Sequence, residues 1–150
     1  MKIETVLRWI WLWPPYLGAG IAVQSFSNPI NNIVVRMQRK RRNINYVGTH
    51  FGGNLYSMCD PWFMFILMEY LGKDFVVWDK AARIEFVAPG RGTVYATFSI
   101  PQERLAKIRE QAQEGTKVLP VFCTEIVDTQ GICIAKVEKE LYVRKKPTSL

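Results

Sequence analysis

Gly52 and Gly53 stand side by side at the start of a strongly apolar run, and seven residues beyond Gly53 a lone carboxylate, Asp60, interrupts that run. The first backbone N–H groups of a helix have no intrahelical acceptor, so they suit an anionic or polarised oxygen. A carboxylate set among Met58, Cys59, Trp62 and Phe63 is expected to be kept dry, which would raise its basicity. An oxyanion site beside a tuned base is the minimal equipment for acyl transfer or hydration. Asp60 is therefore the candidate base or nucleophile and Gly53 the candidate donor. Gly52, Asn45, His50, Tyr56 and Trp62 lie in the same stretch as candidates to orient water or substrate.

These residues need elements to hold them. Residues 3–13 read as a short helix that ends at Pro14-Pro15, and residues 21–26 and 33–37 as two extended pieces separated by Ser27-Asn28-Pro29. A basic loop, Arg39-Lys40-Arg41-Arg42, leads to the glycine pair and a long helix closed by Gly72. Pro61 lacks an N–H and must bend or interrupt that helix. From Phe75 onward the hydrophobic period becomes two. Trp78, Ala82, Ile84 and Phe86 share one face, and Asp79, Arg83 and Glu85 the other. After a turn at Pro89-Gly90-Arg91-Gly92 the alternation resumes with Val94, Ala96, Phe98 and Ile100. A helix is expected over 102–114, then strands over 117–127 and 131–144, with Cys133, Ala135, Val137, Leu141 and Val143 on one face of the last. A helix apolar nearly all round, followed by half-buried antiparallel strands, is buried most simply when the sheet curls round it. Such a sheet leaves edges open, so a homodimer or homotetramer formed by joining edges is expected.

The 150 residues are expected to form one α+β domain with an N-terminal helical extension over about residues 1–18. Hydrophobic content of 49% against 22% charged residues argues against pervasive disorder. The net charge of +7 favours anionic partners without choosing among them, and nucleic acid ranks last because nothing beyond charge supports it. Three cysteines, Cys59, Cys123 and Cys133, are an odd number without CxxC spacing. They point to a reducing, cytoplasmic setting with no disulfide frame, metal site or cofactor. The segment holding Trp9, Trp11 and Trp13 is too short to span a bilayer. It is expected to cover a sheet face or an oligomer contact in preference to dipping into a membrane. Residues 51–72 are long enough to span, but Asp60, Pro61 and Glu69 within them favour a buried central helix.

That arrangement is the hotdog fold, and here particular residues carry a resemblance. The run from Asn45 to Asp60 resembles the N-x-x-G-T-x-H-G-G-(six residues)-D signature of phenylacetate-pathway-type acyl-CoA thioesterases. Asn45, Gly48, Thr49, Gly52, Gly53 and Asp60 match in identity and spacing. With Asp60-Pro61 mid-helix and Val77-Trp78-Asp79-Lys80 beyond, the chain is more similar still to an uncharacterised bacterial branch of that superfamily. The resemblance implies that Asp60 acts as base or nucleophile, that Gly53, with Gly52, offers N–H to a thioester carbonyl, and that Asn45 orients water or substrate. It departs at one position: Phe51 stands where the family has histidine, and the sole histidine, His50, lies one residue earlier.

Each residue also has a plainer reading. Asp60 before Pro61 is a good N-cap and N1 pair. The glycines would permit close packing, His50 would be a satisfied structural histidine, and Asn45 a turn residue. Lys80 shares strand parity with Trp78 and Ala82, so an ideal strand points it at the helix, within reach of Asp60 or a bound anion. A bulge would flip it outward. Residues 39–42 either meet coenzyme A phosphates or are surface charge. The expected function is hydrolysis of acyl-CoA or acyl-carrier thioesters, the acyl chain lying in a tunnel lined by Tyr56, Met58, Trp62, Phe63 and strand residues. The alternative is a non-catalytic acyl- or lipid-binding module of the same fold. A hydratase ranks third, because only His50 could serve as its histidine base.

Overall fold

The computed structural model describes residues 2–147. The two prolines do not end the first helix; they begin the second. Helix α1 spans Ile3–Trp9, a 3₁₀ turn follows over Ile10–Leu12, and helix α2 spans Pro14–Ala19 with proline at its first positions. There a missing N–H costs nothing, because helix starts leave N–H groups unpaired anyway. Gly20 closes α2 at φ +75°, a left-handed conformation that glycine adopts without Cβ strain.

Strands β1 (Ile21–Phe26) and β2 (Asn32–Met37) follow, then the two halves of the central helix, α3 (Gly52–Ser57) and α4 (Trp62–Leu71). The remainder is β3 (Phe75–Phe86), β4 (Val94–Ser99), α5 (Gln102–Ala112), β5 (Val121–Asp128) and β6 (Cys133–Lys145). The six strands form one sheet in the order β1-β2-β4-β5-β6-β3, and every pairing is antiparallel. Its concave face wraps α3 and α4, so the expected hotdog architecture is the one observed.

The central helix is apolar where it must be. Trp62, Phe63, Ile66, Leu67 and Leu71 of α4 are buried against Ile33, Val35, Phe98, Phe122, Leu141 and Val143 of the sheet. Phe63 stacks on Phe122 with ring centres 4.9 Å apart and meets Phe98 edge-on at 5.2 Å. Exposed Glu69 shows that one face of α4 is not covered by the sheet. Among the described residues, no helix is long and apolar enough to cross a membrane.

Two departures from the expected pattern matter for the site. Residues 58–61 break the helix at Pro61, and that break carries Asp60. In β3 the register with β6 slips between Asp79 and Ala81, so Lys80 is an extra residue. A bulge reverses the side-chain parity on its N-terminal side. Asp79 therefore faces inward opposite Leu141, and Trp78 turns out to solvent at 65% exposure. Ala82, Ile84 and Phe86 keep the inward parity assigned to them. Strands β1 and β3 are the two edges of the sheet, and among the described residues the twelve-residue β3 has no partner along its outer side.

Candidate active site

The glycine end of α3 is built by Asn45. Its Oδ1 accepts from the Val47 and Thr49 N–H groups at 3.1 and 3.0 Å, and its Nδ2 donates to Thr49 Oγ1 at 2.9 Å. These bonds fold residues 45–49 into a tight turn with Gly48 at φ +82°. His50 is buried. Its Nε2–H donates to the Gly92 carbonyl at 2.7 Å, which leaves Nδ1 bare and without a partner. Burial holds its pKa below the usual histidine value. Asn45 and His50 thus serve the turn and the packing of the loop over residues 88–92. Together with Thr49, Gly52, Leu55 and Phe86 they line a groove of about 410 Å³.

Gly52 and Gly53 lie under close aromatic neighbours. A Cβ on Gly52 would meet the Phe86 ring at 3.0 Å, and one on Gly53 would meet the Phe51 ring at 2.5 Å. Among the described residues, neither glycine N–H has a hydrogen-bond acceptor in the chain. Phe51, the residue that departs from the thioesterase pattern, is half exposed and folded over Gly53.

The other end of α3 holds charge. Lys139 of β6 is fully buried, and its ammonium lies where α3 breaks before α4. It donates to the Asp60 carbonyl at 2.9 Å, to Asp60 Oδ1 at 3.1 Å and to the Tyr56 hydroxyl at 3.3 Å. The Tyr56 ring lies beside it, 5.3 Å from ring centre to Nζ. Those three bonds use all three ammonium hydrogens. Asp79 Oδ1 is also 3.1 Å from Nζ and forms a salt bridge with it, at an angle poor for a hydrogen bond. Burial alone would lower the Lys139 pKa, but Asp79 and Asp60 outweigh it and the value is raised. Burial raises the Asp79 pKa against the opposing pull of Lys139. Burial likewise raises Cys59 and Tyr16, which flank the cluster.

Several expectations are corrected here. Asp60 is not kept dry: its carboxylate is 52% exposed in the single chain, because the helix break swings it out of the core. It is not an N-cap either, since no side-chain oxygen caps α4. Met58, Trp62 and Phe63 line no tunnel, being buried core residues, with Trp62 Nε1 donating to the Met58 carbonyl at 2.7 Å. Lys80, flipped out by the bulge, pairs with Glu140 on the outer face. Trp9, Trp11 and Trp13 are all partly exposed, and the turn that carries Trp11 packs beside β1. Arg39 donates twice to the Gly48 carbonyl, whereas Lys40, Arg41 and Arg42 are solvent-facing.

The residues missed by pattern reading are Lys139 and Asp79. Lys139 left a signal, because it occupies an inward position between Val137 and Leu141 where the strand's alternation demands an apolar side chain. Asp79 left none, since only the bulge brings it inside.

Asp60 also borders an apolar groove of about 580 Å³ walled by Val6, Trp9, Ile10, Trp13, Met64 and Phe65. Tyr56 and Asp79 face a second groove of about 440 Å³ with Ala82 and Ile84. Lys139 contacts a carboxylate of each.

The overall arrangement has close structural parallels. A Pseudomonas aeruginosa protein of unknown function, named a probable thioesterase, superposes with a TM-score of 0.83 at 17% identity, over 95% of this chain and 96% of that one. The Haemophilus influenzae thioesterase HI1161 gives a TM-score of 0.68 at 14% identity, over 93% and 88%. The Escherichia coli PaaI protein of the phenylacetic acid degradation operon gives 0.62 at 18% identity, over 97% and 94%. At these identities the likeness establishes the fold. No protein of curated function matches the chain in sequence. The model of one family does match, over residues 5–143, and by it the chain belongs to the family described as domain of unknown function DUF4442.

Proposed function

We propose that this protein hydrolyses acyl thioesters, of coenzyme A or of an acyl carrier, with Asp60 as general base or nucleophile. One observation carries the reading: a carboxylate fixed by a buried ammonium stands at the wall of an otherwise apolar groove. The groove suits an acyl chain, and Asp60 is its only ionisable side chain. As base, Asp60 would take a proton from water as that water attacks the thioester carbonyl. The tetrahedral oxyanion then needs donors, and the unpaired Gly53 N–H, with Gly52, supplies them.

Gly53 lies in the first turn of α3 and Asp60 in the break after it, so the donor and the base need not come from the same copy of the chain. In an edge-paired dimer the glycine end of one copy would serve Asp60 of the other. The unpaired outer side of β3 offers the route for such pairing. A homodimer is then the smallest active unit.

The test is release of free thiol from a panel of acyl-CoAs by the wild-type protein and by Asp60→Asn. Loss of the base should cost on the order of a hundredfold or more in kcat/KM, with folding intact. Undiminished turnover in that variant would move the chemistry elsewhere. A second reading, a non-catalytic acyl-binding module, is favoured by the Phe51 ring lying over Gly53. Acyl-CoA binding without thiol release would select it.

A further inference from the structure

Lys139 is the least expected residue in the molecule: a lysine with no exposed side-chain surface, on the inner face of a sheet, among Val137, Leu141 and Phe122. Removing an ammonium from water costs several kcal/mol even after relaxation, unless partners compensate. Its partners are concentrated on one target. Two of its three hydrogen bonds go to Asp60, one to the carbonyl and one to Oδ1, and the third to Tyr56. The bond to the carbonyl holds the backbone of the helix break. The bond to Oδ1 holds the carboxylate, half open to the apolar groove.

Asp79 contributes differently. It stands 3.1 Å from the same ammonium as a second salt-bridge partner, less well aligned than Asp60. Its presence inside depends on the extra residue Lys80, since without the slip between Asp79 and Ala81 the carboxylate would face solvent. Glu140, on the opposite parity, is taken by Lys80 and does not reach Lys139.

We propose that Lys139 is the positioning residue of the active site, fixing Asp60 at the groove wall, and that Asp79 is the counter-charge that keeps the buried lysine ionised while it does so. The inference rests on the thioesterase reading and extends it to two residues outside the glycine–aspartate motif. The titratable groups facing the ammonium belong to the arrangement: Tyr56 from α3, Cys59 and Asp60 from the break, and Asp79 from β3. Tyr16 of α2, whose hydroxyl donates to the Ser57 carbonyl, lies near the two carboxylates.

A positioning role separates from a merely structural one by which kinetic constant moves. In Lys139→Met, kcat for thiol release should fall by on the order of a hundredfold, as for loss of the base itself, while KM for acyl-CoA stays near wild type because the groove walls are untouched. Asp79→Asn should lower kcat in the same direction and by less. It keeps the test open if Lys139→Met does not fold, and thermal melts of both variants report on folding. A fall in kcat at constant KM supports the proposal. Wild-type kcat in the folded variants, or a change confined to KM, overturns it and leaves the thioesterase reading standing. Absence of thiol release by the wild-type protein, by contrast, sinks that reading itself.

Discussion

The two ends of helix α3 make an instructive pair. At its N-terminal end the polar residues Asn45, Thr49 and His50 spend their hydrogen bonds on one another and on nearby backbone. What remains for a ligand there is the N–H groups of Gly52 and Gly53 and the unpartnered Nδ1 of buried His50. At the C-terminal end Tyr56, Asp60 and Asp79 gather around one buried cation drawn from a strand far along the chain. The first end is a scaffold whose polarity is consumed locally. The second holds charge that local structure has no use for. A polar residue answered by its own loop explains itself, whereas a buried charge answered by two carboxylates calls for a function.

The contrast can be broken most forcefully at Lys139. Breaking a buried ion pair by removing one member costs about 3–5 kcal/mol, because the remaining charges lose their partner. Urea unfolding of Lys139→Met at neutral pH should show a loss of that order. The pH dependence has a definite sign. The Lys139 pKa is raised above its ordinary value of 10.5, so its contribution is fully present below that pH and is lost as pH climbs through the higher folded value. Wild-type stability should thus decline in strongly alkaline solution, and Lys139→Met should lack that part of the decline.

At the other end the expected effect is smaller. Asn45→Ala removes the side-chain bonds of a turn and should cost about 1 kcal/mol in stability, as loss of a cap of this kind does. A loss as large as that of Lys139→Met would erase the distinction between the two ends. Smallest of all is Lys80→Met. Its ion pair with Glu140 lies on the outer face with Lys80 half exposed, and pairs of that type contribute about 0–1 kcal/mol, screened by salt. A larger drop in the melting temperature would mean that the bulge depends on this pair.

How legible was all this in the residues? The period-two alternation of β4, β5 and β6 and the apolar face of α4 were plain, because each depends on neighbours a few positions away. The stop at Gly72 and the break at Pro61 were equally plain, for the same reason. The glycine–aspartate spacing marked the stretch on which the proposed site rests, but not that the break over residues 58–61 would leave Asp60 half exposed. Trp78 and Asp79 were read on the wrong faces, and Lys80 was placed outward only by the bulge alternative. A bulge is a register event between two strands, and nothing in β3 alone announces where β6 will slip against it.

The amino-acid order by itself therefore determined the elements and the sheet-round-helix packing, since hydrophobic periodicity, proline and glycine act over a few residues. Only the tertiary structure decided which charges meet. Asp60 and Lys139 are 79 positions apart, and their encounter depends on how far the sheet curls and where the helix breaks. The same holds for Asp60's exposure: a residue is dry or wet according to what packs over it, a property of the folded surface that no local pattern encodes.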